Sequence, residues 1–186
     1  MQISFRYDIL WQSPPLFKRH LVQGEKMIRE FRAEDLPTLI EIARKAWKPI
    51  FDNYKNLLGE ELYPILYPDP EEPFRVKERE IISQAEKVPH EILICERNGK
   101  IAGFIFFGMR GKTGIICNNA KDPDSTERGV AQEMYAAVLE KFKAAGMTVA
   151  TVGTGLDSAH APARKAYEKA GFRARMDKTV YYMKID

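Results

Sequence analysis

Residues 122–131 read Asp122-Pro123-Asp124-Ser125-Thr126-Glu127-Arg128-Gly129-Val130-Ala131. The apolar run before them, at 114–117, is typical of a β-strand, and the residues after them repeat at helical spacing as far as Gly146. A turn from a strand into a helix leaves amide hydrogens unpaired and exposes the positive end of the helix dipole, which favours an anion. Gly129 and Ala131 lack bulk, so a phosphate group can approach the main chain. Small residues also open helices for packing alone, and this stretch leaves both interpretations open.

A second informative stretch follows about thirty residues later. It reads His160-Ala161-Pro162-Ala163-Arg164-Lys165-Ala166-Tyr167-Glu168-Lys169-Ala170-Gly171-Phe172. The pattern predicts a helix over 163–170 that ends at Gly171, because glycine readily adopts the left-handed conformation found after a helix.

The remaining patterns complete a mixed α/β fold. A short strand near Ile28 leads into a helix around 35–47, and a broken second helix is expected over 55–66 and 74–87. Asn98-Gly99 between two apolar runs is a strong signal for a β-hairpin. Two more strands are expected between Phe172 and Ile185, which gives the order β-α-α-β-β-β-α-β-α-β-β.

Taken together, the two quoted stretches resemble the GCN5-related N-acetyltransferase (GNAT) superfamily. Its cofactor loop reads Q/R-x-x-G-x-G/A, which aligns with residues 126–131, and its later helix ends in Y-E-K-x-G-F, which matches residues 167–172. Thr126 departs from the usual Gln or Arg, and His160 stands where many members have Asn. The resemblance covers Met27 to about Ile185.

The resemblance implies a GNAT fold: a mixed central sheet of about six to seven strands flanked by about four helices. The fourth and fifth strands, at 114–117 and 147–152, would splay apart near 118–120 and 152–154 to admit the pantetheine arm of acetyl-CoA. Residues 27–186 would form the N-acetyltransferase domain.

The resemblance also implies roles for individual residues. Tyr167 would act as the general acid that protonates the departing thiolate of coenzyme A. Acetyl-CoA would be held by Thr126, Glu127, Arg128, Gly129, Val130, Ala131 and Arg164. Asn118, Asn119 and His160 could orient the acceptor, although asparagines at a strand end also serve turns and such a histidine is more often structural. The sequence identifies no general base, since the fourth strand carries no acidic residue.

Composition limits the function further. The chain has 186 residues, 45% of them apolar and 30% charged, and a net charge of +3, far from the dense basic surface of a nucleic-acid binder. No apolar run is long enough to span a membrane. No Cys/His spacing fits a zinc site, so no metal is expected. The two cysteines, Cys95 and Cys117, lie in predicted strands, which favours a reducing, cytoplasmic setting over a disulfide framework.

Residues 1–26 show neither strand nor helix periodicity. We expect either an appended N-terminal extension that is disordered, or a mis-assigned start with translation beginning at Met27.

The leading hypothesis is an enzyme that transfers an acetyl group from acetyl-CoA to a primary amine of a small molecule, peptide or protein. A non-catalytic acyl-CoA-binding or sensor protein of the same fold is the main alternative, and an assembly module without coenzyme affinity is a third. The acceptor would be set by residues 47–74, whose aromatic side chains could line a pocket or belong to the core. A homodimer is one option for the assembly.

Overall fold

The computed structural model describes residues 26–185. Its helices are α1 (Leu36–Leu66), α2 (Glu72–Lys87), α3 (Val130–Ala144) and α4 (Ala161–Lys169). Its strands are β1 (Lys26–Glu30), β2 (Ile92–Arg97), β3 (Lys100–Arg110), β4 (Thr113–Lys121) and β5 (Val149–Val152). The predicted α/β class is therefore confirmed, and the interpretation of residues 1–26 lies outside the described residues apart from Lys26.

The strands form one mixed sheet in the order β1-β2-β3-β4-β5. The first three pairings are antiparallel, and β4 and β5 run parallel. Asn98 and Gly99 join β2 to β3 with φ values of 50° and 73°, the left-handed conformation that a two-residue hairpin of type I′ requires. The hairpin predicted from these two residues is confirmed.

Alternating residues of the sheet enter two separate cores. Leu93, Ile105, Phe107 and Ile116 face α3 and α4, where Met134 and Val138 are buried. The opposite face packs against α1 and α2, through a second set of buried residues: Ile92, Ile94, Phe104, Phe106, Leu39, Ile42 and Ile81. Because side chains alternate between the two faces of a strand, both faces of the sheet are apolar and each packs against a layer of helices.

Helix α1 differs from the prediction. The segment expected to begin a broken second helix at residue 55 continues the first helix, and the chain bends at Gly59 (φ 72°, ψ 176°). A conformation with positive φ costs glycine little, so the break occurs there. Helix α2 begins only after the turn at residues 67–71.

The expected count of six to seven strands is not met in residues 26–185, where the sheet has five. The two strands predicted between Phe172 and Ile185 are absent from the described residues, and this segment has neither helix nor strand. Met176, Tyr181 and Met183 are 96%, 90% and 81% exposed. Alternating apolar residues favour a strand only where a core accepts the side chains, and these side chains of the tail remain exposed.

A buried ionic network ties β1 to the start of α1 and to β2. Arg29 binds Asp35 through two hydrogen bonds of 2.7 and 2.8 Å and binds Glu96 at 2.6 Å. Asp35 also accepts from the backbone N–H of Arg32 at 2.8 Å and is 5% exposed. Burial alone would raise the pKa of the Asp35 carboxyl, but the hydrogen bonds from Arg29 and Arg32 outweigh it and hold the pKa below its ordinary value.

Asp35→Asn is expected to lower the free energy of unfolding by roughly 3 kcal/mol at pH 7, because it leaves Arg29 buried with one of its two carboxylate partners missing. Because folding lowers the pKa of Asp35, its ionised carboxylate stabilises the folded state at pH values above the ordinary carboxyl pKa of about 4. This stabilisation is lost as the pH falls through the lowered pKa of the folded protein. The difference between the two proteins should therefore shrink below about pH 4, measured by urea unfolding.

Asp52→Asn is the matched control, since Asp52 pairs with Lys48 at the surface and its side chain is 57% exposed. We expect a change within about 0.5 kcal/mol for this variant. Equal stabilities of the two variants would contradict the role given to Asp35.

Candidate active site

Strands β4 and β5 separate partway along the sheet. Parallel pairing runs from Thr113↔Val149 to Ile116↔Val152 and stops there, while β4 continues to Lys121. The pairing between β3 and β4 is irregular in the same place. Ile105 pairs with Asn119 and Phe107 pairs with Ile116, so β4 has one extra residue between these two pairs. The edge of β4 beyond Ile116 therefore has no strand partner on the β5 side in the described residues, and this unpaired stretch, called the gap below, lies where the resemblance predicts the splay.

Asn118 and Asn119, at this gap, make contacts on opposite faces of the sheet. Asn118 donates to Gln84 of α2 at 2.8 Å and accepts from Lys77 at 3.0 Å. Asn119 instead donates to the hydroxyl of Tyr167 at 3.3 Å. The two asparagines predicted to orient the acetyl acceptor thus lie in different environments, one facing α2 and the other facing α4.

Tyr167 reaches the gap from α4. The residue is 8% exposed, and its ring packs against Tyr135 and Phe172 with centroid distances of 5.5 and 6.3 Å. Burial raises the pKa of Tyr167, and hydrogen bonds with Asn119 and Tyr135 partly oppose the rise. The phenol is consequently protonated at neutral pH and held at the unpaired edge of β4.

Tyr135 is a site residue that the sequence analysis missed. Its hydroxyl donates to the side-chain oxygen of Asn119 at 2.9 Å, and burial raises its pKa. The sequence indicates that Tyr135 is buried, because it directly follows Met134 on the apolar side of α3. A buried tyrosine hydroxyl usually has a polar partner.

The loop from residue 122 to residue 129 leads into α3. The Lys121 ammonium donates to the backbone oxygen of Ser125, and the backbone N–H of Glu127 donates to the Ser125 hydroxyl at 3.3 Å. Gly129 occupies the N-cap position with φ 80°, and no side chain caps this end of α3 in the described chain. The first amides of α3 therefore lack the intrahelical acceptors that later residues have.

The predicted cofactor residues of this loop are not equally accessible. Thr126, Arg128 and Gly129 are exposed, whereas Val130 is 1% exposed and packs in the core. The Val130 side chain is therefore not available to a ligand. Beneath the loop lies a second feature that the sequence analysis missed: the buried Arg97 binds Glu133 of the first α3 turn at 2.5 Å.

Arg164 and His160 shape the turn that follows β5. Arg164 donates to the backbone oxygens of Gly155 and Asp157 at 2.6 and 2.8 Å. The Asp157 carboxylate accepts from the Ala159 amide at 2.9 Å, lies 2.6 Å from His160 Nδ1, and accepts from Asn53 of α1 at 3.2 Å. A side chain at Gly155 would collide with His160, so the turn needs a glycine there.

Aromatic side chains cover the α1 and α2 side of the gap. Tyr54 stacks on Tyr67 with a centroid distance of 5.4 Å and contacts Phe51 at 5.5 Å. The Lys77 ammonium that binds Asn118 lies 5.1 Å from the ring of Trp47. Part of this cluster also lines an open cleft of about 340 Å³ between α1 and the start of α2.

The described residues include no group of three or more His, Cys, Asp or Glu side chains arranged to hold a metal ion. Between residues 26 and 185, no helix has the length and apolar character needed to cross a membrane.

Comparison with known proteins agrees with this geometry. The family model of the acetyltransferase (GNAT) family matches residues 55–172. No curated protein matches the chain in sequence. Among solved structures, the PaiA N-acetyltransferase of Thermoplasma acidophilum in complex with coenzyme A has 19% identity and a TM-score of 0.59, over 83% of this chain and 93% of that chain.

Two further solved structures are similar in fold. Ard1 of Thermoplasma volcanium has 18% identity and a TM-score of 0.59, over 83% of this chain and 86% of that chain. The ribosomal-protein-S18-alanine N-acetyltransferase of Escherichia coli has 16% identity and a TM-score of 0.55, over 82% and 80%. Such identities show a shared fold, while the family model spans more than half of the chain. The chain therefore belongs to the acetyltransferase (GNAT) family.

Proposed function

We propose that this protein transfers an acetyl group from acetyl-CoA to a primary amine of a small molecule, peptide or protein by direct attack. One observation carries the proposal: the phenol of Tyr167 lies against the unpaired edge of β4, at the point where β5 separates from it. A gap in a sheet with a buried hydroxyl beside it suits a thioester on an extended arm. The transferase unit in this proposal is residues 27–186.

The cofactor side of the proposal rests on the start of α3. The loop of Thr126, Glu127 and Arg128 and the uncapped amides from Gly129 to Ala131 would bind the pyrophosphate, since a helix N-terminus favours an anion. Val130 would contribute its amide alone. Arg164 would contribute by fixing the turn after β5, where its hydrogen bonds to Gly155 and Asp157 already hold the backbone.

The transfer step would use these groups in sequence. The amine nitrogen attacks the thioester carbon, and a main-chain N–H of the unpaired β4 segment stabilises the oxyanion that forms. The carbon–sulfur bond then breaks, and Tyr167 gives its proton to the departing sulfur. The proton released by the amine passes to solvent, and the Tyr167 phenolate takes a proton back from solvent.

The acceptor would enter from the side of α1 and α2. Asn118 and His160 lie on that approach in this proposal, together with the aromatic residues around Tyr54. The links from Asp157 to Asn53 and from Asn118 to Gln84 join the site to both helices, so the sequence of α1 and α2 would set the acceptor. The unpaired Cys95 and Cys117 suit a cytoplasmic enzyme.

Release of free coenzyme A thiol in the presence of a panel of amines tests the function. We expect acetyl-CoA consumption that depends on both the protein and one class of amine. Coenzyme binding without turnover on any amine would instead indicate the sensor alternative, and the absence of binding would indicate an assembly module.

A further inference from the structure

We propose that Asn119 is a positioning residue for Tyr167: its side-chain amide holds the phenol and stabilises the phenolate left after proton transfer, while the Cys117 backbone oxygen and the Tyr135 hydroxyl hold that amide in place. This inference rests on the proposed function, in which Tyr167 protonates the leaving sulfur.

The hydrogen bonds of Asn119 are all made inside the protein. Its Nδ2 donates to Tyr167 Oη at 3.3 Å and to the backbone oxygen of Cys117 at 3.3 Å. Its Oδ1 accepts from Tyr135 Oη at 2.9 Å. Both amide hydrogens and the carbonyl oxygen therefore have partners, and the bond to the Cys117 backbone oxygen sets the orientation, because a flipped amide would turn its own oxygen toward that carbonyl. This arrangement leaves Asn119 poorly suited to contact an acceptor directly.

The same bonds determine where the Tyr167 proton can go. Because Tyr167 Oη accepts a hydrogen bond from Asn119, its own hydrogen cannot point at that amide nitrogen. The Asn119 oxygen is already bonded to the only hydrogen of the Tyr135 hydroxyl. The Tyr167 hydrogen can therefore point at the Tyr135 oxygen, or at a sulfur placed in the gap beside β4.

Asn119 would assist the proton transfer from Tyr167 by stabilising the phenolate. A phenol has an ordinary pKa of about 10 and a thiol about 8.5, so proton transfer from Tyr167 to a thiolate runs uphill. Burial raises the pKa of Tyr167 further, and the hydrogen bond from Asn119 partly opposes that rise. The Asn119 amide is neutral, so it favours the phenolate through this hydrogen bond and adds no charge to the site.

Direct titration of Tyr167 tests this inference without any turnover. Tyr167 is replaced by 3,5-difluorotyrosine, whose phenol ionises near neutral pH, and its ionisation is followed by fluorine NMR in the protein without ligands. Asn119→Leu, which is similar in size and has no donor, should raise the pKa of this phenol by about one unit. Tyr135→Phe keeps the ring and should raise it less. An unchanged pKa in both variants overturns the inference.

A double-mutant cycle separates this inference from the proposed function. Asn119→Leu should lower kcat by about 10- to 100-fold and leave the Kd for acetyl-CoA unchanged. In the Tyr167→Phe background it should have no further effect, because Asn119 acts through the missing hydroxyl. Equal losses in both backgrounds would show that Asn119 contacts substrate and would overturn the inference. If Tyr167→Phe itself leaves kcat unchanged, the acid role fails, whatever the titration shows.

Discussion

Tyr167→Phe is expected to lower turnover by about 100- to 10,000-fold and to change the affinity for acetyl-CoA by less than about threefold. The substitution removes one hydroxyl and keeps the ring, which packs against Tyr135 and Phe172. Proton transfer to the sulfur matters only while the carbon–sulfur bond breaks, so kcat should fall without a matching loss of binding.

Thiol release measures the turnover, and isothermal titration with acetyl-CoA measures the affinity. Tyr181→Phe is the matched control, since Tyr181 is 90% exposed and its loss of a hydroxyl should leave both quantities unchanged. A Tyr167→Phe protein that turns over as fast as the wild type would remove Tyr167 from the mechanism.

Gly129→Ala is expected to weaken acetyl-CoA binding by roughly 10- to 100-fold. Gly129 caps α3 with φ 80°, which an alanine rarely adopts, and the added methyl group would lie 3.2 Å from a carboxylate oxygen of Glu133. The loop would have to shift, and the amides after it would lose their alignment toward the pyrophosphate.

Gly146→Ala provides the control at the other end of the same helix. Gly146 has a similar φ of 71°, and an added methyl group there meets no atom within 4 Å. Both variants should lose a similar amount of stability, about 1 to 2 kcal/mol, because both force alanine into the left-handed region. Only Gly129→Ala should lose affinity in the titration, and equal affinities of the two variants would place the coenzyme elsewhere.

The parts of the fold that depend on local patterns could be predicted from the sequence. Asn98-Gly99 predicted the hairpin, because few other residue pairs accept two consecutive positive φ values. Gly146 marked the end of α3, where the Gly146 and Met147 amides bond back to Lys143 and Phe142 at 2.9 Å. The order of strands and helices up to α4 followed from the same kind of signal, apart from the continuity of α1 through residue 55.

The parts that depend on contacts distant in sequence could not be predicted. The Asn119 contacts join β4 to residues 16 and 48 positions away, and no local periodicity reports them. The resemblance predicts that Arg164 helps to hold acetyl-CoA, but no local pattern indicates its hydrogen bonds to the backbone oxygens of Gly155 and Asp157. The tail beyond Phe172 has the alternation of a strand, but it forms none in the described residues and leaves most of its large apolar side chains exposed.

The loop before α3 and the hydroxyl of Tyr167 are proposed to meet one molecule of coenzyme, and a crystal structure with coenzyme A bound tests this most directly. We predict the pyrophosphate on the amides of Gly129 to Ala131, the pantetheine arm along the unpaired edge of β4, and the sulfur within hydrogen-bonding distance of Tyr167 Oη. A coenzyme bound away from this gap, or with its sulfur out of reach of Tyr167, would contradict the account.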